Sequence, residues 1–519
     1  MNKMMPFRSL KKFFSDRSYY YILFAVGFAC LFISLRPYTQ FLYETGLTIS
    51  GILFLGVQQE KGRISANKRG FLLPGIMVAW FLFLQVKRSF AHVDLDNIGI
   101  FVSVYLFAFP LASVLREQDR NRGLKIFAGA YFTASVILVV DGLMLICNCL
   151  PEFMTDYVYW DGARLVTFWH PNIVGCYLMI GIIFCTVYLT HAKSIWSKIS
   201  LSILLVLMAG MMALTGCRTA TILTGGYFGS VIFYRMLRRG RKWFIPAVFA
   251  VLIITVAFYS VERVLFDANS DRLIKMYAQA YSEQIVENSL PESTAEAELL
   301  LEEVTEPEEN IIHDEVQIAT EETVQEGIAT EKTTQEELLP ITVDPDSGEV
   351  SLITENMQGD ITRDLGTFNS RTYIWSAAKL AIQENPAILY WGTANPGEYV
   401  SHGNSFSVVH LHNAWMECLV GMGAVGFLIA LVFTTMAAWN CLIVLIRHYQ
   451  DTWKRAVALL VLCLQAASML EPYLFYTIST YNLTELIFFL CAGYLAYWQE
   501  EDNRCIRRWI RKRLSFVKK

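Results

Sequence analysis

Three side chains of this sequence have the chemistry to hold or transform an anionic substrate: Arg218, Arg371 and His412. An arginine presents a planar fork of donors that matches two oxygens of a diphosphate. A histidine has a near-neutral intrinsic pKa and can take a proton from an attacking hydroxyl. All three lie between or beside long apolar runs, where ionisable groups are costly and are therefore candidates for function.

Each of these three residues also has a purely structural interpretation. Arg218 lies where two apolar segments meet almost without a loop, so its guanidinium points into a crevice, where it binds an anion, forms an ion pair or snorkels to the membrane interface. Arg371 also fits a solvated position at a helix start, and a lone histidine such as His412 is often structural. The ion-pair partners that the sequence offers Arg218 are Glu44, Glu471 and Glu485.

Two short helices are predicted to carry Arg371 and His412. The run Arg371–Gln383 has one apolar face, and Asn385–Pro386 ends it. A second helix is predicted to begin near His410 and to include His412. In that helix Glu417 lies on a different side from His412, so it is a poor partner for orienting the imidazole ring.

The segment 162–172 leads directly into an apolar run and offers a cation, Arg164, beside hydrogen-bonding side chains. Pro171 suits the first position of a helix. Trp160 and Trp169 are typical of an aromatic belt at a membrane surface, so we interpret both as anchors. The polar side chains of this segment remain candidates for substrate contacts at the mouth of the protein.

The composition indicates that a polytopic membrane protein positions these residues. The chain has 519 residues, 54% of them hydrophobic and 17% charged, with a mean hydropathy of +0.38. Its apolar residues fall in blocks of about 20, the length that spans a bilayer. Twelve transmembrane spans are predicted, at 19–35, 38–57, 71–86, 98–115, 126–148, 172–190, 200–216, 219–234, 243–261, 424–446, 456–474 and 478–498.

The distribution of basic residues predicts the orientation of these spans. Lysines and arginines concentrate in the segments on one side, so both termini are predicted to be cytoplasmic and the candidate residues to face outward. The basic N-terminus leads into an apolar segment without a small-residue cleavage site, so the first span is expected to be retained. The eleven cysteines lie mostly inside apolar runs and form no CxxC pair, so neither a disulfide framework nor a metal site is predicted.

One segment differs from the rest of the chain in composition. Residues 283–360 hold 23 of the 47 acidic residues and a single basic residue, Lys332. They contain a ten-residue repeat, at 318–327 and 328–337, and almost no aromatic residues. Such a segment cannot bury enough apolar surface to offset its chain entropy, so it is predicted to be disordered. We interpret it as a tolerated insertion, and an electrostatic spacer is the alternative.

Four motifs, taken in order, resemble the O-antigen ligase and polymerase superfamily of membrane glycosyltransferases. A layout of twelve spans with a large outer loop near the C-terminal third is also similar to that family, whereas the acidic insert departs from the family's usual shorter loop. The motifs are Arg164 with 168–172, the turn 215–220, the run 371–375, and 412–417 followed by Gly421, Gly423 and Gly426.

The resemblance implies an enzyme that takes a glycan from an undecaprenyl-diphosphate carrier and transfers it to an acceptor sugar hydroxyl, without a metal or other cofactor. Arg218 and Arg371 would hold the diphosphate, and His412 would activate the hydroxyl for inverting attack. The partners would be the lipid-linked glycan, an acceptor glycan or glycolipid, and the lipid bilayer, with no nucleic acid. By the same resemblance the substrate-binding residues would be Arg164, His170, Asn172, Asn413 and Glu417.

The predicted fold class is therefore an all-α helical bundle in the bacterial inner membrane, acting as a polysaccharide polymerase or as a ligase. An anion or small-solute transporter is the alternative, although no internal duplication of spans is evident. The ionisable residues that would line a transport pathway are Glu44, Asp141, Glu471 and Glu485. The predicted segments are a basic cytoplasmic start at 1–18, spans at 19–261, an outer loop at 262–423 whose helical part is 363–423, spans at 424–498, and a basic cytoplasmic tail at 499–519.

Overall fold

The computed structural model shows a mostly helical chain. Its contacts divide the chain into two units, Met1–Asn269 with Phe368–Lys519, and Ser270–Thr367. Every residue assigned above to the catalytic or substrate-binding set lies in the first unit. The structure describes residues 49, 51–66, 72, 74–80, 82–83, 108–115, 117–167, 170–289, 342–343, 350–351, 371–393, 396–401, 411–474 and 484–498.

The helices used below are named in chain order. They are α1 (Glu117–Ile146), α2 (Pro171–His191), α3 (Ile195–Leu214), α4 (Arg218–Leu237), α5 (Phe244–Ser289), α6 (Arg371–Glu384), α7 (Ala414–Arg447), α8 (Thr452–Ala467) and α9 (Thr484–Trp498). Shorter helices are Arg63–Ala66, Phe109–Val114, Glu152–Met154, Arg241–Trp243, Ile388–Trp391 and Pro396–Ser401.

Five of the described helices are long and apolar enough to cross a membrane: α2, α3, α7, and the parts Arg120–Ile146 of α1 and Phe244–Met276 of α5. They coincide with five predicted spans, and α4, α8 and α9 overlap three more. The count of twelve stays a prediction, because the span 19–35 lies outside the described residues. The spans that the structure describes only in part are 38–57, 71–86 and 98–115.

Helix α5 continues well past residue 261, where its span was predicted to end, and reaches Ser289. The chain contains neither glycine nor proline between residues 247 and 289, so nothing in the backbone interrupts the helix. The second unit also holds the strands Thr342–Val343 and Val350–Ser351, which pair antiparallel. The other residues of the predicted disordered segment lie outside the described part of the chain.

A β-hairpin between α1 and α2 modifies the predicted all-α fold. Strand β1 (Val158–Asp161) pairs antiparallel with β2 (Arg164–Thr167), with Asp161 opposite Arg164. The two-residue turn contains Gly162 at φ 57°, a value that glycine adopts without steric cost. Strand β2 therefore presents Arg164 at its first position, next to the start of α2.

Helix α2 is the most buried of the five long apolar helices. It begins at Pro171, as predicted, after His170 as the N-cap residue. A Cβ atom on Gly175 would lie 2.5 Å from Cβ of Cys217, so only glycine permits this close approach to the turn between α3 and α4. Gly216 in that turn has φ 61°, which allows α3 and α4 to be joined by only three residues.

A small apolar cluster packs α6, the two short helices after it and the first turns of α7 against one another. Helix α6 matches the predicted helix at 371–383, which is thereby confirmed. Helix α7 contains a break at Gly423, where φ is 67° and ψ is −174°, so its first turns form a separate segment before the membrane-spanning part. The buried members of the cluster are Ile374, Ala378, Ile388, Val400, Leu411 and Val420.

Candidate active site

A buried carboxylate, Glu471, connects several of the candidate residues. It is 1% exposed and lies in the turn after α8. Its Oε1 accepts hydrogen bonds from Asn172 Nδ2 at 2.7 Å and from Arg371 Nη2, and its Oε2 lies 3.4 Å from His412 Nδ1. Such partners offset the cost of removing a charged carboxylate from water.

The side chain of Asn172 extends this network to the β-hairpin. Arg164 Nη2 donates to Asn172 Oδ1 at 2.7 Å, and Arg164 Nε donates to the carbonyl of Thr215 at 3.0 Å. The hydroxyl of Tyr473 donates to the carbonyl of Asn172 at 2.8 Å, which fixes the start of α2 against the turn after α8. Segments distant in sequence therefore meet at one point, and each contributes a polar side chain.

His412 occupies a strained backbone position immediately before α7. Its φ is 51°, which is uncommon for a residue other than glycine. The neighbouring Leu411 is held on both sides, because its N–H donates to the carboxylate of Glu417 and its carbonyl accepts from Trp375 Nε1 at 2.8 Å. Strained residues that persist in this way are typical of functional sites.

The prediction that a helix begins near His410 and contains His412 is wrong, because α7 begins at Ala414 with Asn413 as its N-cap. Asn413 Oδ1 accepts from the N–H groups of Trp415 and Met416, and asparagine is among the strongest N-cap residues. Its Nδ2 donates to the carbonyl of Met469 at 2.8 Å. The amide of Asn413 therefore joins the start of α7 to the turn that carries Glu471.

Glu417 is fully buried, and its carboxylate accepts from the N–H of Leu411 rather than facing the His412 ring. The expectation that Glu417 is a poor orienting partner for His412 is confirmed in this respect. The carboxylate that does face the ring is Glu471, 59 residues away along the chain. The substrate-binding roles of Asn413 and Glu417 stay predictions, because both side chains are engaged in holding the loop.

His170 lies at the edge of the network as the N-cap residue of α2. Its Nδ1 accepts from the N–H of Asn172 at 3.4 Å. Although His170 retains an exposed surface, protein atoms desolvate its ring, and this effect together with the positive charge of Arg164 lowers its pKa to about 4. The imidazole is therefore neutral at pH 7 and available as a hydrogen-bond acceptor.

Arg218 is the first residue of α4 and is half-buried. The predicted near-absence of a loop between two apolar helices is confirmed, since α3 ends at Leu214. The N–H of Arg218 donates to the carbonyl of Gly216 at 3.1 Å, within the same turn whose Thr215 carbonyl accepts from Arg164. One short turn thus carries Arg218 and also positions Arg164.

The two arginines of this arrangement have unused hydrogen-bond donors. Two guanidinium groups, those of Arg164 and Arg371, share the single carboxylate of Glu471 through direct and Asn172-mediated hydrogen bonds. Among the described residues, Arg164 Nη1 and Arg371 Nε and Nη1 have no hydrogen-bond partner. Such a site favours a multivalent anion, because arginine donors match the oxygens of phosphate groups.

The family model described as O-antigen ligase matches residues 203–431. This part of the chain is similar to the O-antigen ligase family. None of the curated proteins compared with the chain matches the chain. The family match runs from α3 into α7 and contains five of the eight predicted site residues. The five residues are Arg218, Arg371, His412, Asn413 and Glu417.

The match to the O-antigen ligase model and the apolar helices support a membrane glycosyltransferase-like role in polysaccharide biosynthesis. Glu471 was absent from the predicted site, although its position in an apolar run marked it as an ionisable group of interest. The motif residues Phe168 and Trp169, and also Glu44, lie outside the described residues. The residues of the network that lie outside the family match are Arg164, His170, Asn172 and Glu471.

Proposed function

We propose that this protein transfers a glycan from an undecaprenyl-diphosphate carrier to an acceptor sugar hydroxyl at the outer face of the bacterial inner membrane. The observation that carries the proposal is the connection of Arg371, Arg164 and His412 through the buried carboxylate of Glu471. A glycan transfer of this kind needs a base for the hydroxyl and cations for the departing diphosphate, and the arrangement supports both roles.

The arginines are assigned to the leaving group. Arg371 and Arg164 each retain guanidinium donors that no described residue uses, and the turn that positions Arg164 also carries Arg218. A charged hydrogen bond contributes about 1.5–3 kcal/mol. Preorganised donors of this type stabilise the negative charge that grows on the diphosphate as its bond to the sugar breaks.

His412 is assigned as the general base. With Glu471 Oε2 facing Nδ1, the ring proton resides on Nδ1 and the lone pair on Nε2. Nε2 takes the proton of the acceptor hydroxyl while that oxygen bonds to the anomeric carbon of the donor sugar. The bond between the anomeric carbon and the diphosphate oxygen breaks, the electron pair leaves with the diphosphate, and the anomeric configuration inverts.

The other polar residues are assigned to positioning. Asn172 bridges Arg164 to Glu471, Asn413 caps α7, and Glu417 holds the backbone beside His412. His170 caps α2 at the edge of the same network. These roles explain why small polar residues cluster at this point without requiring each of them to touch the substrate.

The test is to replace His412 with alanine in cells and to follow the length and attachment of the surface glycan. General-base catalysis contributes about 10²- to 10⁴-fold, so we expect the glycan product to be nearly lost. His191→Ala is the matched control, because His191 lies in the last turn of α2, at the end opposite Asn172. Normal glycan with normal membrane insertion of the His412→Ala protein would exclude the assignment.

The same experiment separates the two forms of the reaction. Loss of chain length beyond one repeat unit indicates a polymerase. Accumulation of full-length chains that remain on the carrier lipid indicates a ligase. Electrophoresis of the surface fraction and of the carrier-linked fraction distinguishes the two outcomes.

A further inference from the structure

Three arginines lie at the end of α4 that is opposite to Arg218. Arg235 is in the last turn of α4, Arg238 is its C-cap residue, and Arg455 is in the first turn of α8. The positive charges of Arg235 and Arg238 both act on Arg455. Since α4 has 20 residues, this arginine cluster lies about 30 Å along the helix from Arg218 and is separate from the candidate active site.

Arg455 is the buried member of the arginine cluster. It is 7% exposed, and its Nη1 donates to the carbonyl of Tyr449 at 2.8 Å. Its Nε and Nη2 have no hydrogen-bond partner among the described residues, and none of the three arginines forms an ion pair within that part of the chain. A buried charge in a protein is normally paired, and Arg455 has no anionic partner among the described residues.

The surroundings hold the guanidinium groups in place without neutralising them. Arg238 Nη2 donates to the carbonyl of Gln450 at 3.1 Å, and its guanidinium carbon lies 5.9 Å from the centre of the Tyr449 ring. Tyr449 stacks with Tyr234 of α4. The nearest acidic residue in sequence, Asp451, uses its carboxylate to cap α8 and forms no ion pair with the three arginines in the described structure.

Helix geometry at this place is favourable for an anion. The first turn of α8 carries Arg455 at the positive end of the helix dipole, where Asp451 caps two N–H groups but does not reach the Arg455 guanidinium. An anion close to the same turn would interact favourably with both the helix and the arginine. The chemistry that fits is a phosphate group.

We propose that the arginine cluster binds the phosphate group of an anionic phospholipid. The apolar surface beside it favours a lipid over a free ion, because Ile232 of α4 and Phe244 and Ile245 of α5 are 37%, 53% and 66% exposed. Acyl chains can lie along these side chains while the headgroup reaches the arginines. A basic segment at a membrane surface attracts anionic lipids in this way.

The test uses the purified full-length protein and three probes: phosphatidylglycerol, phosphatidylcholine and inorganic phosphate. Native mass spectrometry measures bound lipid, and the thermal unfolding midpoint reports stabilisation. We expect phosphatidylglycerol to bind and to raise the midpoint, and the other two probes to do neither. Replacing all three arginines with glutamine is expected to weaken phosphatidylglycerol binding about a hundredfold.

Lys198→Gln is the matched control, because Lys198 is an exposed basic residue near the start of α3 and should leave lipid binding unchanged. If the triple variant misfolds, the single variant Arg235→Gln still tests the proposal, because Arg235 is exposed. This single variant is expected to weaken phosphatidylglycerol binding about fivefold. Equal binding of phosphatidylcholine, equal stabilisation by inorganic phosphate, or unchanged phosphatidylglycerol affinity in Arg235→Gln would each overturn the proposal.

Discussion

Glu471 Oε2 lies 3.4 Å from His412 Nδ1, although the two residues are 59 positions apart in the chain. The turn after α8 brings Glu471 to this position, and two hydrogen bonds join that turn to the start of α7. The N–H of Ala414 donates to the carbonyl of Ser468 at 2.9 Å, and Asn413 Nδ2 donates to the carbonyl of Met469. The antiparallel packing of α7 and α8 therefore sets the geometry of the carboxylate–imidazole pair.

Glu471→Gln should lower glycan transfer by about 10²- to 10⁴-fold, because a neutral amide no longer fixes the His412 tautomer or balances Arg371. The rate of transfer to a defined acceptor by the reconstituted protein measures the effect. The thermal unfolding midpoint recorded beside it separates a loss of transfer from a loss of folding. An unchanged transfer rate in Glu471→Gln would contradict the role of Glu471 in orienting His412.

Asp451→Asn is the control for this substitution. Asp451 lies at the other end of α8, and asparagine caps a helix about as well as aspartate. We therefore expect transfer by Asp451→Asn to match that of the unmodified protein.

Arg371→Ala should destabilise the protein, because it leaves the buried Glu471 carboxylate without its directly bonded cation. Removing one partner of a buried pair costs about 3–5 kcal/mol. Arg371→Lys retains the charge but loses the planar fork, so its unfolding midpoint should stay near that of the unmodified protein while transfer falls. The thermal unfolding midpoint and the transfer rate separate the two effects. Full transfer by Arg371→Lys would contradict recognition of the diphosphate by the guanidinium fork.

Local signals in the sequence predicted much of the helical framework. Pro171 at a helix start and the short connection before Arg218 are both confirmed, because each depends on the backbone preferences of a few adjacent residues. The residues of α6 were predicted for the same reason. Residue type and sequence context also indicate His412, Arg371, Asn172 and Arg164 as site residues, but they do not indicate the contacts among them.

The organisation of the site could not be predicted in the same way. Glu471 joins segments that are far apart in sequence, and such pairs arise from tertiary packing rather than local preference. The position of His412 outside α7 depends on the Asn413 cap, which starts the helix at Ala414, four residues after the predicted start near His410. The hairpin that presents Arg164 was not predicted, because its strands are short and the aromatic residues of the segment also fit a membrane anchor.

Stability should fall as the pH is lowered from about 6.5 towards 4, because of His170. Its pKa is lowered to about 4 in the folded protein from an ordinary value of 6.5, so the unfolded chain binds a proton in this range and the folded protein does not. The stabilisation is complete above pH 6.5 and disappears progressively below it. His170→Asn keeps a capping acceptor that does not titrate, so its unfolding midpoint should depend less on pH across this range. An identical pH dependence in both proteins would contradict the assignment.

Gly423→Ala should destabilise the protein and reduce transfer together. Gly423 has φ 67°, and an added Cβ would overlap the carbonyl oxygen of Tyr390. The left-handed backbone alone costs about 1–2 kcal/mol for other residues, and the overlap adds to it. The first turns of α7 lie directly before this break and include the cap beside His412, so a shift there should move the imidazole away from Glu471.

The control for this change is Gly210→Ala in α3, where an added Cβ meets no atom within 4 Å and alanine is the better helix former. Its unfolding midpoint should be equal or higher, with normal transfer. If Gly423→Ala also leaves both the midpoint and the transfer rate unchanged, the break in α7 does not set the position of His412. The geometry of the site would then depend on the hydrogen bonds from Ala414 and Asn413 to the turn that carries Glu471.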